Sequence, residues 1–221
     1  MKNIFKFLTE LKENNNREWF QDNKAFYESA KNEFETYVNQ LIPQIRRIDK
    51  SIDVVSAKQC VYRIYKDLRF SRNRIPYKTN FGAYISHGGR KSIYAGYYIQ
   101  IEPDNSFVGG GLYQPKSDIL KTIREDISNN SSEIKEILEN EKFKQFFDKI
   151  VGKKLKTSPR GFPGNDENIY LLRNKSFAVI HNLSDEFLLS ENWLEEVIKI
   201  FKIQKPFNDY LNEVIGLNYT L

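Results

Sequence analysis

Six cations and a single carboxylate fall between residues 63 and 78. The stretch reads Arg63-Ile64-Tyr65-Lys66-Asp67-Leu68-Arg69-Phe70-Ser71-Arg72-Asn73-Arg74-Ile75-Pro76-Tyr77-Lys78. One carboxylate can pair with one or two of these cations, and the rest need water or an external anion. Guanidinium forks suit planar, bidentate binding of carboxylate or phosphate. We therefore expect Arg63, Arg69 and Arg74 to bind such an anion, with Tyr77 and Lys78 closing the rim. Asp67 would orient the arginines or act as the catalytic proton acceptor. The competing reading is structural: Asp67 and Arg69 tie the loop to itself, and Arg72 and Arg74 are solvated. On either reading Asp67 should bond to at least one neighbouring arginine.

A second basic segment runs Lys153-Lys154-Leu155-Lys156-Thr157-Ser158-Pro159-Arg160-Gly161-Phe162. Exposed backbone N–H groups beside cations can form an anion nest, so Lys156 and Arg160 join the ligand-binding candidates. Lys153 and Lys154 fit a solvated loop. Arg173 and Lys175 precede a strand and could face the same ground. If the two segments converge, the site is bipartite.

Nothing else in the sequence offers a reaction. Cys60 has no histidine nearby in sequence, and its placement in a strand favours a buried, inert thiol. His87 lies in a Gly-Gly turn, and His181 ends a strand as a satisfied core histidine would. The HExxH, GxSxG, Walker-type and GxGxxG patterns are missing, so no metal and no cofactor is expected. Gly109-Gly110-Gly111 lacks the Lys-Ser/Thr of a phosphate loop and reads as a place where a strand bends or another chain approaches closely. Tyr65, Tyr77, Tyr97, Tyr98 and Tyr113 could stack on bases, although an aromatic strand packed under helices accounts for them equally.

Composition bounds these readings. The chain has 221 residues, 34 Lys+Arg against 29 Asp+Glu, 40% hydrophobic residues and 14% aromatics, which excludes a disordered chain. A single Cys excludes a disulfide framework and suits a reduced, cytoplasmic protein. No apolar run approaches the ~20 residues of a membrane helix, and the N-terminus lacks the pattern of a signal peptide. The positive charge is local: residues 58–91 carry nine basic residues and one acid, although the whole chain nets only +5. That points to an anionic small molecule as the partner. The rivals are a nucleic-acid module using the same 58–91 segment and an adaptor whose basic face meets an acidic protein.

The elements that must position these residues follow from periodicity. Ile4, Leu8 and Leu11 share a helical face, and Asn14 to Asn16 offer stop and N-cap chemistry. A second helix carries Phe26 to Ile48, with Pro43 predicting a kink or break near Ile42. Strands are expected at Cys60–Tyr65, Phe81–Ser86, Ile93–Glu102, Phe107–Tyr113 and Ser176–Asn182. Helices resume at an N-cap on Ser117, then cover Ser132–Asn140 and Glu141–Val151, with an irregular loop over 153–168. Two last helices, Glu191–Ile203 and Pro206–Ile215, are separated by Pro206 at a first helical position. Strands cluster in the middle and helices flank them, so the class is α+β with a mainly antiparallel meander. One domain over residues 1–221 is expected, with residues 1–53 as an alternative helical N-terminal subdomain.

The central motif also carries a resemblance. It is similar to the domain-of-unknown-function 2461 family, marked by R-x-x-R-D-x-R-F, then Asp or Asn, a basic residue and P-Y-K. Here Arg63, Lys66, Asp67, Arg69 and Phe70 are followed by Asn73, Arg74 and Pro76-Tyr77-Lys78. The resemblance extends to Phe7-Leu8, Asn15, Arg17, Trp19-Phe20, Gly96-Tyr97-Tyr98, Leu155-Lys156, Pro159 to Phe162 and Pro206-Phe207. Lys66 stands where arginine is usual, and Arg74 where lysine is usual. The resemblance implies a compact α+β domain and supplies no reaction.

Overall fold

The computed structural model describes residues 1–67, 69 and 75–216. The chain opens with α1 (Lys2–Glu13), α2 (Arg17–Asp22), α3 (Lys24–Ile48) and the single turn α4 (Ala57–Cys60). Strands β1 (Phe81–Ile85), β2 (Gly96–Ile101) and β3 (Ser106–Leu112) come next. Helices α5 (Ser117–Asn129), α6 (Ser132–Glu139), α7 (Glu141–Phe146) and α8 (Ile169–Leu172) then lead to β4 (Phe177–Leu183), α9 (Asp185–Leu189) and α10 (Trp193–Val214). The four strands pair in the order β1-β2-β3-β4 as an antiparallel meander, so the class is α+β as expected. No helix among the described residues is long and apolar enough to cross a membrane. Two compact units are drawn from interleaved stretches of chain. The first is Met1–Arg90, Tyr98–Val108 and Asn182–Ile198; the second is Lys91–Tyr97, Gly109–His181 and Lys199–Leu221.

In the first unit, α1 buries Ile4, Phe7, Leu8 and Leu11, the spacing of one helical face. Asn14 ends that helix, and the Asn16 side chain caps α2 by accepting from the Trp19 N–H at 2.9 Å. Helix α3 runs through Pro43 without breaking. Proline forfeits one backbone bond and costs ~3 kcal/mol in a helix interior. Here Leu41, Ile42 and Ile45 keep both sides of Pro43 on the same buried stripe and offset that cost. Phe81 of β1 completes the core, stacking on Phe34 at 5.5 Å, Phe7 at 6.0 Å and Tyr27 at 6.2 Å between ring centroids.

The segment 60–65 departs from expectation. Ser56 and Gln59 form a capping box that opens α4, so Cys60 is helical and buried. Beyond Cys60 the chain becomes an extended arm with isolated antiparallel bridges, Val61 to Ala83 and Tyr65 to Tyr77.

In the second unit, α5 begins with Ser117 as its first residue, and Lys116 takes the N-cap position. Helix α7 stops at Phe146, short of Val151. Phe147 leaves the helix to become buried, and the Val151 N–H bonds the Ala178 carbonyl of β4 at 2.8 Å. Helix α10 continues through Pro206. Phe201, Phe207 and Leu211 are fully buried along one stripe of it, which again outweighs the lost bond. Between them, Gln204 and Asn208 each donate to the Gly96 carbonyl at 3.1 Å. Asn212 accepts from the Ala95 N–H at 2.7 Å and donates to its carbonyl at 3.2 Å. These amides occupy the Ala95 backbone and the Gly96 carbonyl at the start of β2, which begins at Gly96 and not at Ile93. The three glycines of β3 serve close approach, as expected. A Cβ at Gly109 would lie 2.0 Å from the Val179 carbonyl oxygen, and one at Gly111 (φ +94°) 2.3 Å from that of Phe177.

Candidate anion site

The described residues of the central motif on either side, 63–67 and 75–78, pair as the two arms of a hairpin in the first unit. The Lys66 N–H donates to the Pro76 carbonyl at 2.9 Å, and the Lys78 N–H to that of Ile64 at 2.8 Å. Nearer its base the Tyr62 N–H donates to the Gly82 carbonyl at 2.9 Å. Between the two bridges one arm advances from Val61 to Tyr65 while the other spans Tyr77 to Ala83. The two extra residues are taken up at the bend Thr79–Asn80.

Tyr65 and Tyr77 meet across the hairpin, and Phe20 of α2 stacks on Tyr77 with 3.9 Å between centroids and 13° between planes. Tyr77 is therefore core, at 3% exposure. Asn15 holds the same residue by its backbone, donating to its carbonyl and accepting from its N–H, both at 3.1 Å. With Tyr77 turned inward, the period of two sends Lys78 to the opposite face, together with Tyr62 and Lys66. The Lys78 ammonium lies over the Tyr62 ring, 5.5 Å from its centroid. Partial burial lowers its pKa, and the charges of Arg63 and Lys66 lower it further. Among the described residues no ion pair joins Arg63, Lys66 or Lys78 to a carboxylate.

Asp67 and Arg69 form a forked pair at the exposed end of the hairpin. Arg69 Nη2 donates to Asp67 Oδ2 at 2.6 Å, its Nε to Oδ1 at 3.0 Å, and its backbone N–H to Oδ1 at 3.2 Å. The Arg69 side chain, its backbone N–H and the nearby Arg63 charge hold the Asp67 carboxyl down at about 2. A carboxylate held that low is a weak proton acceptor at neutral pH. Arg72 and Arg74 lie outside the described residues.

Beside Lys78 runs a hydrogen-bond chain that sequence reasoning did not single out. The Tyr98 hydroxyl donates to Gln100 Oε1 at 3.2 Å, and Gln100 Nε2 donates to Glu102 Oε2 at 3.0 Å. Thr79, next to Lys78 in the chain, donates to Glu102 Oε1 at 2.6 Å. Burial raises the Tyr98 pKa, assisted by Tyr62 and Glu102, so this phenol stays protonated. The alternation Tyr98-x-Gln100-x-Glu102, on β2 and the residue that follows it, was a readable signal for a polar row on one sheet face.

Lys156 and Arg160 belong to the second unit and are exposed. The backbone just before them pairs with the chain entering β4: the Leu155 N–H bonds the Arg173 carbonyl at 2.8 Å, and the Lys175 N–H that of Lys153 at 3.0 Å. Burial pushes the Cys60 thiol up to about 12, in keeping with an inert cysteine. His181 is satisfied as expected, its Nδ1 3.0 Å from the Phe146 carbonyl. His87 sits by the Ser51 carbonyl at 3.2 Å and the Asp53 carboxylate at 3.4 Å.

No curated protein and no solved structure shows significant similarity to this chain. A family model matches nearly the full length, covering the Asn15–Phe20 segment, the hairpin and the basic segment of the second unit. The chain belongs to the family of conserved hypothetical proteins DUF2461, matched over residues 3–210.

Proposed function

We propose that the protein binds an anionic small molecule, a phosphate or carboxylate, on the hairpin at Lys66 and Lys78, with Arg63 near enough to add its charge. The observation that carries this reading is the half-buried Lys78 ammonium on Tyr62, flanked by two more cations with no carboxylate paired to the three among the described residues. Partial desolvation of like charges is costly, and a bound anion relieves it. Asp67 holds the Arg69 fork at the mouth of the site, and Tyr77 anchors Lys78 from below. Arg74 is assigned to the site from the sequence motif. The reading does not depend on Lys156 or Arg160. We place the protein in the cytoplasm, since its one cysteine is a buried thiol.

The test is calorimetric titration at low salt of inorganic phosphate, citrate and a single-stranded oligonucleotide into the wild type, Arg63→Gln and Lys78→Gln. Saturable binding of a small anion is expected, weakened about tenfold by either change. Small-anion binding that is unsaturable, or equal in all three proteins, overturns the reading. If only the oligonucleotide binds, with log affinity falling by roughly 0.7 per phosphate contact per decade of salt, the nucleic-acid rival replaces it.

A further inference from the structure

In the first unit the sheet departs from the usual division of an antiparallel sheet into an apolar inner face and a polar outer one. Phe81, Ala83 and Ile85 of β1 and Ile99 and Ile101 of β2 are buried, and the residues between them face the other way. That other face carries rings. Tyr98 of β2 lies 5.6 Å from Phe107 of β3 and 6.4 Å from Tyr62 of the hairpin arm, centroid to centroid. Tyr62, Tyr98 and Phe107 are half-buried, so each keeps part of its surface open.

Tyr98 is held in place from several sides. A Cβ at Gly82 would lie 2.5 Å from the Tyr98 hydroxyl oxygen and 3.1 Å from the ring carbon that bears it. The missing side chain thus lets the ring lie across β1. Gln100 accepts from the Tyr98 hydroxyl at 3.2 Å and donates to Glu102 at 3.0 Å. Glu102 also accepts from Thr79 at 2.6 Å and from Asn105 at 2.9 Å, so the partner of the hydroxyl is itself fixed. A ring immobilised in advance loses little freedom when a flat ligand packs on it.

Positive charge adjoins this surface at one edge. The Lys78 ammonium lies over the Tyr62 ring, 5.5 Å from its centroid, and the charges of Arg63 and Lys66 reach it. The order across the face is therefore Lys78, Tyr62, Tyr98, Phe107. An inorganic anion would use the cations and leave the rings idle, and an uncharged ring would do the reverse. An anion joined to a flat aromatic ring matches both halves.

We infer that the anion bound at the hairpin carries an aromatic ring, as a nucleoside monophosphate does, with its phosphate at Lys78 and its base packed on Tyr98 and Phe107. Tyr62 spans the distance between the two. The inference rests on the anion reading of the hairpin and adds the ring to it. Stacking accepts any base, so the face selects for a ring and not for one base.

The test titrates adenosine monophosphate, ribose 5-phosphate and a single-stranded oligonucleotide into the full chain at low salt, by calorimetry. In the wild type the mononucleotide should bind about tenfold tighter than the sugar phosphate, within the worth of one stacked base. Tyr98→Leu and Phe107→Leu should each bring that ratio toward one. Lys78→Gln should weaken both phosphates about tenfold and keep the ratio. The wild type alone gives a second readout: the ring NMR signals of Tyr98 and Phe107 should move with the mononucleotide and stay still with the sugar phosphate. Equal binding of the two phosphates, or ring signals that ignore the mononucleotide, overturns the inference and leaves the anion site standing. A ratio preserved in both ring variants also overturns it. Saturable binding of neither phosphate removes both readings. An oligonucleotide bound more than about tenfold tighter than the mononucleotide would assign the face to nucleic acid instead.

Discussion

Asn15 grips Tyr77 by both backbone polar groups, across 62 residues of sequence, with its amide oxygen and nitrogen each at 3.1 Å. The Phe20 ring lies flat on the Tyr77 ring from the same short N-terminal stretch. The helical N-terminus thus fixes where the hairpin emerges and which way Lys78 faces. Replacing Asn15 with Ala leaves two backbone groups of a buried residue without partners. The expected loss is about 1–3 kcal/mol in urea denaturation, with Asn15→Asp intermediate because it keeps the acceptor and loses the donor. Equal stability of Asn15→Ala and wild type would show that water replaces the amide at no cost.

Much of this architecture was legible in the residues. Apolar spacing in α1 and α3, the Asn14–Asn16 punctuation and the alternation of β2 are local signals, and local packing honours them. The misreadings have tertiary causes or a missed cap. Pro43 and Pro206 do not end their helices, because buried stripes continue past them. The Ser56-x-x-Gln59 capping box was readable and turned Cys60 into a helical residue. Of the candidate site, the Asp67–Arg69 pair followed from charge counting alone. The Asn15 grip, the Phe20 stack and the bond from Thr79 to Glu102 are contacts between segments distant in sequence, which no local pattern carries, whereas the alternation of Tyr98, Gln100 and Glu102 was readable.

The glycines of β3 give a sharp contrast between two small substitutions. Gly109→Ala would drive a methyl to 2.0 Å from the Val179 carbonyl oxygen. Strand separation must change, and the expected cost is at least about 3 kcal/mol, the upper range for overpacking. Gly164→Ala meets only the Ser158 hydroxyl at 3.9 Å. It should change stability by less than about 0.5 kcal/mol. Thermal or urea unfolding of both variants checks the pair, and equal effects would contradict the packing described for β3.

The Asp67–Arg69 fork predicts an acid-shifted carboxyl. Its folded-state pKa, about 2, lies below the ordinary value. The pair therefore contributes above the unfolded-state pKa and loses its contribution as pH falls through about 2. Carbon-detected NMR should place the Asp67 midpoint there in the wild type. In Arg69→Ala the midpoint should return to the ordinary carboxylate range, with no measurable change in unfolding midpoint at pH 7, since both side chains are exposed. A large loss of stability in Arg69→Ala would identify the pair as a structural brace.

The claim that Lys78 marks an anion site is tested most directly by titrating its own ammonium, through the side-chain NMR signals next to it. In the protein alone Lys78 should titrate below the ordinary lysine value of 10.5, the direction set by burial and by its two cationic neighbours. Arg63→Gln should raise it by removing one of those neighbours. Added inorganic phosphate or citrate should raise it in the wild type, because a bound anion favours the charged form. A Lys78 titration unchanged by every anion offered, while Arg63→Gln still shifts it, would show a crowded cluster of cations that binds nothing and would contradict the account.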